Sequence, residues 1–97
     1  MTEEPRAPIL GSAVLRFAPH VRFRFDQTRQ AWVVLAPERL LLPDEQAVEI
    51  LQLIDGARTV DNIIDELARR YEAPRDVIAG DVLKMLQDLV DKKVLRL

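Results

Sequence analysis

Residues 37–44 separate two parts of the chain whose hydrophobic patterns differ in period. Before this segment, residues 21–26 alternate between apolar and polar side chains, which is the period of a half-buried β-strand. After it, apolar residues recur every three or four positions, which is the period of an amphipathic helix. The change of period predicts an α+β domain in which a short sheet comes first and helices follow.

Three strands are predicted before the first helix, over residues 21–26, 30–36 and 39–42. A short polar segment joins the first two and predicts an antiparallel hairpin. Pro37 ends the second strand, because proline has no N–H to donate to a ladder. Pro37 and Pro43 enclose the third strand, which predicts a short strand at an edge of the sheet.

Three helices are predicted after residue 43. The first begins at Pro43 and Asp44, because a proline is harmless in a first helical turn and a carboxylate interacts favourably with the positive helix end. Its apolar stripe consists of Ala47, Ile50, Leu51 and Ile54. Gly56 is predicted as its left-handed C-cap, and Thr59 as the N-cap of the second helix. The third helix is predicted to start near Pro74, and residues 94–97 to form a short tail that packs back on the core.

The length of 97 residues predicts one folded domain. Residues 1–12 contain two prolines and one glycine among small and charged residues, so they are predicted to form a flexible N-terminal tail ahead of a domain over residues 13–97. The alternative is that Ile9 and Leu10 attach this segment to the core.

Cysteine is absent and histidine and glycine are scarce, so the sequence lacks the residues of many catalytic, metal and phosphate sites. There is no cysteine, His20 is the single histidine, and the three glycines are far apart. Disulfides and cysteine-ligated metals are therefore excluded, and no Gly-rich phosphate loop is present. A non-catalytic protein without a cofactor or metal is expected. No apolar run approaches the ~20 residues that span a bilayer, and no signal peptide is recognised, so a cytoplasmic location is expected.

Two surfaces are candidates for binding a charged partner. The second and third helices resemble a helix-turn-helix pair, which makes a small DNA-binding winged-helix protein one hypothesis. The exposed positions of the third helix are acidic on balance and would repel phosphate, which opposes that hypothesis. The outer face of the sheet carries a basic strip that either steers an acidic partner or is only a solvated strand face. Its members are Arg16, Arg22, Arg24 and Arg29.

The third candidate surface is the edge strand over residues 39–42. An edge strand leaves N–H and C=O groups unpaired, and these can pair with a strand from another chain. Because side chains alternate along a strand, at least one of the three consecutive leucines is expected to face away from the core. Val48 and Leu51 would form the helix wall of a leucine-lined groove beside this strand. The alternative is that the domain itself covers the leucines.

Several segments closely resemble the pyrroloquinoline quinone (PQQ) biosynthesis protein D family (PqqD). They are VRFRFD at residues 21–26, WVVLAPER at 32–39, AVEIL at 47–51, DGARTV at 55–60 and DV at 81–82. The similarity runs from about residue 14 to the C-terminus. It implies a winged-helix-like fold, with a three-stranded antiparallel sheet followed by three helices, and a peptide-recognition domain over residues 13–97.

The resemblance implies a non-catalytic peptide chaperone, a recognition element for ribosomally made and post-translationally modified peptides (RiPPs). Such a protein binds the precursor peptide PqqA by β-strand addition against the third strand and the first helix. It then presents the peptide to the radical S-adenosylmethionine (SAM) enzyme PqqE. The peptide-binding residues that the resemblance implies are Glu38, Arg39, Leu40, Leu41, Leu42, Ala47, Val48 and Leu51. A leader-recognition domain of another modified-peptide pathway is the alternative.

Two further expectations concern assembly. A monomer is expected, and a dimer that pairs through the same edge strand is the alternative. For docking of the enzyme, the candidates are the third helix and the acidic face of the second helix, formed by Asp61, Asp65 and Glu66.

Overall fold

The fold combines a three-stranded antiparallel sheet, three helices and a separate two-stranded ribbon, in a computed structural model that describes residues 9–97. The elements in chain order are β1 (Arg16–Phe17), β2 (Arg22–Asp26), β3 (Ala31–Ala36), β4 (Arg39–Leu41), α1 (Glu45–Gln52), α2 (Val60–Tyr71), α3 (Arg75–Asp91) and β5 (Leu95–Arg96). The predicted α+β class, with its three-stranded antiparallel sheet and three helices, is confirmed.

The larger sheet is a meander with the strand order β2-β3-β4. Phe23 lies opposite Val34, and Val34 lies opposite Leu41, so these residues share the face that packs against the helices. The other face carries Leu35, which is paired with Arg22 on one side and Leu40 on the other. The register therefore separates an apolar inner face from an outer face where the arginines of β2 lie beside apolar residues of β3.

The C-terminal tail packs back on the core, as predicted, and pairs with β1. Val94 and Leu95 are buried, and the Ala18 N–H donates to the Val94 carbonyl oxygen at 2.9 Å. Phe17 lies opposite Leu95 in the ladder. The sequence did not predict this pairing, because two-residue strands separated by almost the whole chain leave no local pattern.

Capping explains where the helices begin, and it corrects one prediction. The Asp44 carboxylate accepts the Ala47 N–H at 2.8 Å, and Thr59 and Asn62 form a capping box at the start of α2. The predicted N-cap role of Thr59 is confirmed. Gly56 is not the cap of α1, because that helix ends at Gln52. Gly56 instead lies at φ +77° in the loop that follows.

The core lies between the inner face of the sheet and the three helices. It contains fifteen buried apolar residues, and no polar or charged side chain is buried among residues 9–97. One more apolar residue, Val33, is buried on the other face of the sheet, where it is paired with Arg24. Ile9 packs against this core, and the Asp61 N–H donates to the Gly11 carbonyl oxygen at 2.9 Å. These contacts involve residues 9–12 of the predicted tail. Residues 1–8 lie outside the described residues, and the tail boundary at residue 12 stays a prediction.

Candidate functional site

Strand β4 is the edge that carries the predicted site. Among the described strands it pairs only with β3, so the ladder leaves its other side unpaired. Strand β2 forms the opposite edge, but Arg22 and Arg24 give it the charged side chains that discourage strand pairing. The leucine-bearing edge of β4 is therefore the better template for an added strand.

The three consecutive leucines point in different directions, as the alternation of side chains requires. Leu41 is half-buried and packs against the core, whereas Leu40 lies on the outer face and is 39% exposed. Leu42, just past the end of β4, is 64% exposed. An added strand at this edge would find an apolar side chain available on the outer face and another at its end.

Glu38 and Arg39 form the start of this edge, and both are exposed. Arg39 is paired with Ala36 in the ladder. No described residue forms an ion pair with the Arg39 guanidinium, which leaves its charge available to a ligand.

The three predicted residues of α1 do not share one surface. Ala47 lines a cavity of about 190 Å³ between the helices, together with Ile50 and Leu67. Val48 instead lines a groove against the hairpin formed by β2 and β3. Leu51 is only 2% exposed and belongs to the core, so it supports the site from beneath. The structure thus brings together residues 38–42 as a continuous segment and places only Val48 on a groove that reaches the hairpin.

This groove, here called the aromatic groove, lies between the start of α1 and the turn end of the hairpin. Its lining residues are Phe25, Gln30, Ala31, Trp32, Pro43, Glu45, Val48, Glu49 and Tyr71. Trp32 stacks on Phe23 at 4.8 Å between ring centroids and contacts Phe25 edge-to-face at 5.8 Å. The sequence did not predict this groove, because strand and helix periods assign Trp32 and Tyr71 to apolar faces without showing where those faces end.

The aromatic groove also contains two carboxylates, Glu45 and Glu49, and one phenol. The Tyr71 hydroxyl donates to a Glu49 carboxylate oxygen. This hydrogen bond raises the pKa of Tyr71 above its usual value, with desolvation as a second cause. Tyr71 therefore remains a neutral hydrogen-bond donor at physiological pH, and the pair connects α1 to the end of α2.

The acidic face of α2, one of the two predicted enzyme-docking candidates, is largely neutralised by arginines of the same domain. Arg75 reaches Asp61 at 2.9 Å and Asp65 at 2.6 Å. Glu66 accepts hydrogen bonds from Arg69 at 2.6 Å and Arg70 at 2.7 Å, which together lower its pKa to about 2. The acidic residues that the sequence places on one helix face are thus occupied by local partners.

In the described part of the chain, no group of three or more histidine, cysteine, aspartate or glutamate side chains is arranged to hold a metal ion. No helix over the same residues is long and apolar enough to cross a membrane.

Comparison with known proteins identifies similar chains. The family model for coenzyme PQQ synthesis protein D (PqqD) matches residues 31–95. A Rhodopseudomonas palustris (strain TIE-1) protein named PqqA binding protein is 67% identical over 73 residues, which cover 75% of this chain and 72% of the relative. A Gluconobacter oxydans (strain 621H) protein of the same name is 45% identical over 95 residues, which cover 98% of both chains.

One solved structure is similar over nearly the whole fold. It is the solution NMR structure of the PqqD truncation of Methylobacterium extorquens PqqCD, described as a functional, stand-alone RiPP recognition element. The two chains are 43% identical with a TM-score of 0.76, and the match covers 92% of this chain and 95% of the other.

Proposed function

This chain belongs to the coenzyme PQQ synthesis protein D (PqqD) family, and we propose that it binds the precursor peptide PqqA by β-strand addition at the free edge of β4. The observation that carries this proposal is an unpaired edge whose exposed side chains are leucines. The names of the relatives support PqqA as the ligand. The predicted residues Glu38, Arg39, Leu40, Leu41 and Leu42 would form the strand side of the site.

The energetics of strand addition define what the site must supply. Ordering five peptide residues costs about 5–10 kcal/mol of backbone conformational entropy. Backbone hydrogen bonds to β4 contribute only about 1 kcal/mol each. The peptide must therefore also bury two or three apolar side chains, each contributing roughly 1.5–3 kcal/mol.

The two faces of the sheet offer different places for those side chains. A peptide residue on the outer face would pack beside Leu40, and one near the end of β4 would pack against Leu42. A residue beyond that end would meet the aromatic groove at Pro43, where Val48 and Trp32 form apolar walls. Ala47 and Leu51 would act from beneath by fixing the position of α1.

We further propose that the bound peptide is presented to PqqE, a radical SAM enzyme that crosslinks a glutamate to a tyrosine of the peptide. In this proposal the present chain contributes binding and orientation, and the enzyme supplies the chemistry. A cytoplasmic location and the absence of catalysis by this chain belong to the same proposal.

An amide-resolved NMR titration with the PqqA peptide tests the binding site. The expected result is that chemical-shift changes concentrate between residues 38 and 54 and are small on α3. Leu40→Lys is the matched variant, because Leu40 is exposed and its replacement leaves the core intact. It should weaken binding far more than Lys84→Ala on α3. Shift changes centred on α3, or equal effects of the two variants, would refute the proposed edge.

A further inference from the structure

The described arginines divide into two classes according to where they lie. Those outside the strands all form ion pairs with carboxylates: Arg29, Arg58, Arg69, Arg70 and Arg75. Those within the strands form no ion pair with any residue from 9 to 97: Arg16, Arg22, Arg24, Arg39 and Arg96. Arginines without an ion-pair partner among residues 9–97 are thus confined to the strands.

Four of these arginines project from the side of the strands that faces away from the core. Phe17 and Phe23 stack at 5.8 Å between ring centroids and pack against the core, so their strand neighbours Arg16, Arg22 and Arg24 point outwards. Arg96 lies directly opposite Arg16 in the ladder of β1 and β5. We call Arg16, Arg22, Arg24 and Arg96 the arginine face.

Such an arrangement is unfavourable for an isolated domain. Like charges directly opposite each other in a ladder are destabilising, and Arg16 and Arg96 form such a pair. Asp26, on the same side of β2 as Arg22 and Arg24, does not compensate their charge. Its carboxylate accepts the backbone N–H groups of Arg29 and Thr28 and also pairs with the Arg29 side chain, which lowers the pKa of Asp26.

The charge of the whole chain is distributed unevenly, although its formal net charge is only −2. Residues 9–43 contain five arginines and two carboxylates, whereas residues 44–91 contain twelve carboxylates and five basic residues. Residues 92–97 add three basic residues. The strands therefore present a positive surface and the helices a negative one, which would orient the molecule toward an acidic partner.

We propose that the arginine face docks onto a carboxylate-rich surface of the enzyme that receives the peptide. The identity of this partner rests on the proposed function. The face also carries apolar side chains, since Leu35 and Leu40 lie in the same cross-strand row as Arg22. Arginine mixed with apolar residues is typical of protein interfaces. A nucleic acid fits less well, because the acidic helices would repel phosphate.

This face shares a sheet with β4, which gives it a role in presentation. A peptide strand added to β4 would extend the same sheet whose outer surface carries Arg22 and Arg24. An enzyme that binds the arginine face would therefore reach the bound peptide across the two intervening strands, β3 and β4. One sheet would bind the peptide through its edge and the enzyme through its outer face.

The test compares binding of PqqE and of the PqqA peptide to the same variants of the full chain. The double variant Arg22→Gln/Arg24→Gln removes two charges from the arginine face, and Arg69→Gln/Arg70→Gln removes two paired charges from α2 as the matched control. The first variant should lower the association rate with PqqE about 10-fold at low salt and flatten its salt dependence. The control should change this rate less than about 2-fold, because Arg69 and Arg70 lie on α2, outside the arginine face, and both pair with Glu66.

Peptide affinity provides the second readout. It should be unchanged within about 2-fold in both double variants and reduced in Leu40→Lys. Arg22→Lys/Arg24→Lys retains the charge and should restore most of the association rate. Circular dichroism checks that each variant is folded.

The outcomes separate the two proposals. Loss of PqqE binding in the arginine variant supports the docking face. If the wild-type protein binds no peptide, the proposed function is refuted, but the docking face is not. Equal PqqE binding by the arginine variant and its control refutes the docking face. Tight, salt-sensitive binding of duplex DNA that the arginine variant loses would refute it in favour of a phosphate site. If the wild-type protein has the mass of a dimer in solution and the arginine variant has the mass of a monomer, the docking proposal is refuted in favour of contact between two copies of this chain.

Discussion

Removing the exposed leucines at the end of β4 should weaken peptide binding without unfolding the domain. In the free protein Leu40 is 39% exposed and Leu42 is 64% exposed, so each is only partly buried and lies outside the core. Point substitutions typically cost about 0.5–3 kcal/mol. The double variant Leu40→Ala/Leu42→Ala should therefore remain folded and unfold at a denaturant concentration modestly below that of wild type.

The effect on binding follows from the area that the peptide would cover. Complete burial of a leucine side chain contributes roughly 1.5–3 kcal/mol. Scaling this range by the exposed fractions gives about 0.6–1.2 kcal/mol for Leu40 and about 1–1.9 kcal/mol for Leu42. The two together correspond to an affinity loss of about 15- to 200-fold.

Isothermal titration calorimetry with the PqqA peptide measures this loss directly. Val77→Ala is a matched control, because Val77 is an apolar residue on α3 that is 54% exposed. The Val77→Ala variant should bind the peptide with the affinity of the wild-type protein. Equal losses of affinity in the two variants would refute binding at this edge. A loss of stability above about 3 kcal/mol in the leucine variant would show instead that the leucines are part of the core.

Three further predictions concern stability. Arg69 and Arg70 lower the folded-state pKa of Glu66 to about 2. The stabilisation from this ionised carboxylate is therefore fully present above pH ~4.5 and is lost as the pH falls towards 2. Thermal denaturation of Glu66→Gln should show a melting temperature that depends less on pH in that window than the wild-type value does. Thr59→Ala removes the N-cap of α2 and should cost about 1 kcal/mol in urea unfolding, whereas Thr28→Ala, whose hydroxyl caps no helix, should cost much less. Leu86→Ala truncates a side chain with no solvent exposure and should cost about 2–5 kcal/mol in the same assay; a cost below 1 kcal/mol would contradict its place in the core.

Sequence patterns predicted the elements whose hydrophobic period is strong and local. The alternation at residues 21–26 corresponds to β2, and Thr59 was recognised as a cap because a hydroxyl there can accept the Asn62 N–H. The end of α1 was predicted too late, because Leu53 and Ile54 are buried although they follow the last helical residue. A hydrophobic period cannot distinguish a buried helical residue from a buried residue in the loop after it.

The candidate site was only partly predictable for a related reason. Consecutive leucines between two prolines indicate an edge strand, and the structure has β4 there. The period of α1 placed Ala47, Val48 and Leu51 on one helix but did not show that they face a cavity, a groove and the core, respectively. The pairing of charges was also hidden, because contacts such as Arg75 with Asp61 and Asp65 depend on how α3 packs against α2.

Intermolecular nuclear Overhauser effects show directly whether the peptide adds a strand to β4. Isotopically labelled protein would be mixed with unlabelled PqqA peptide, and contacts between the two backbones would be recorded. Strand addition predicts a regular series of contacts between peptide backbone protons and Arg39–Leu41, with additional contacts from peptide side chains to Leu42 and Val48. Contacts confined to α3 or to β2, with none along β4, would contradict it.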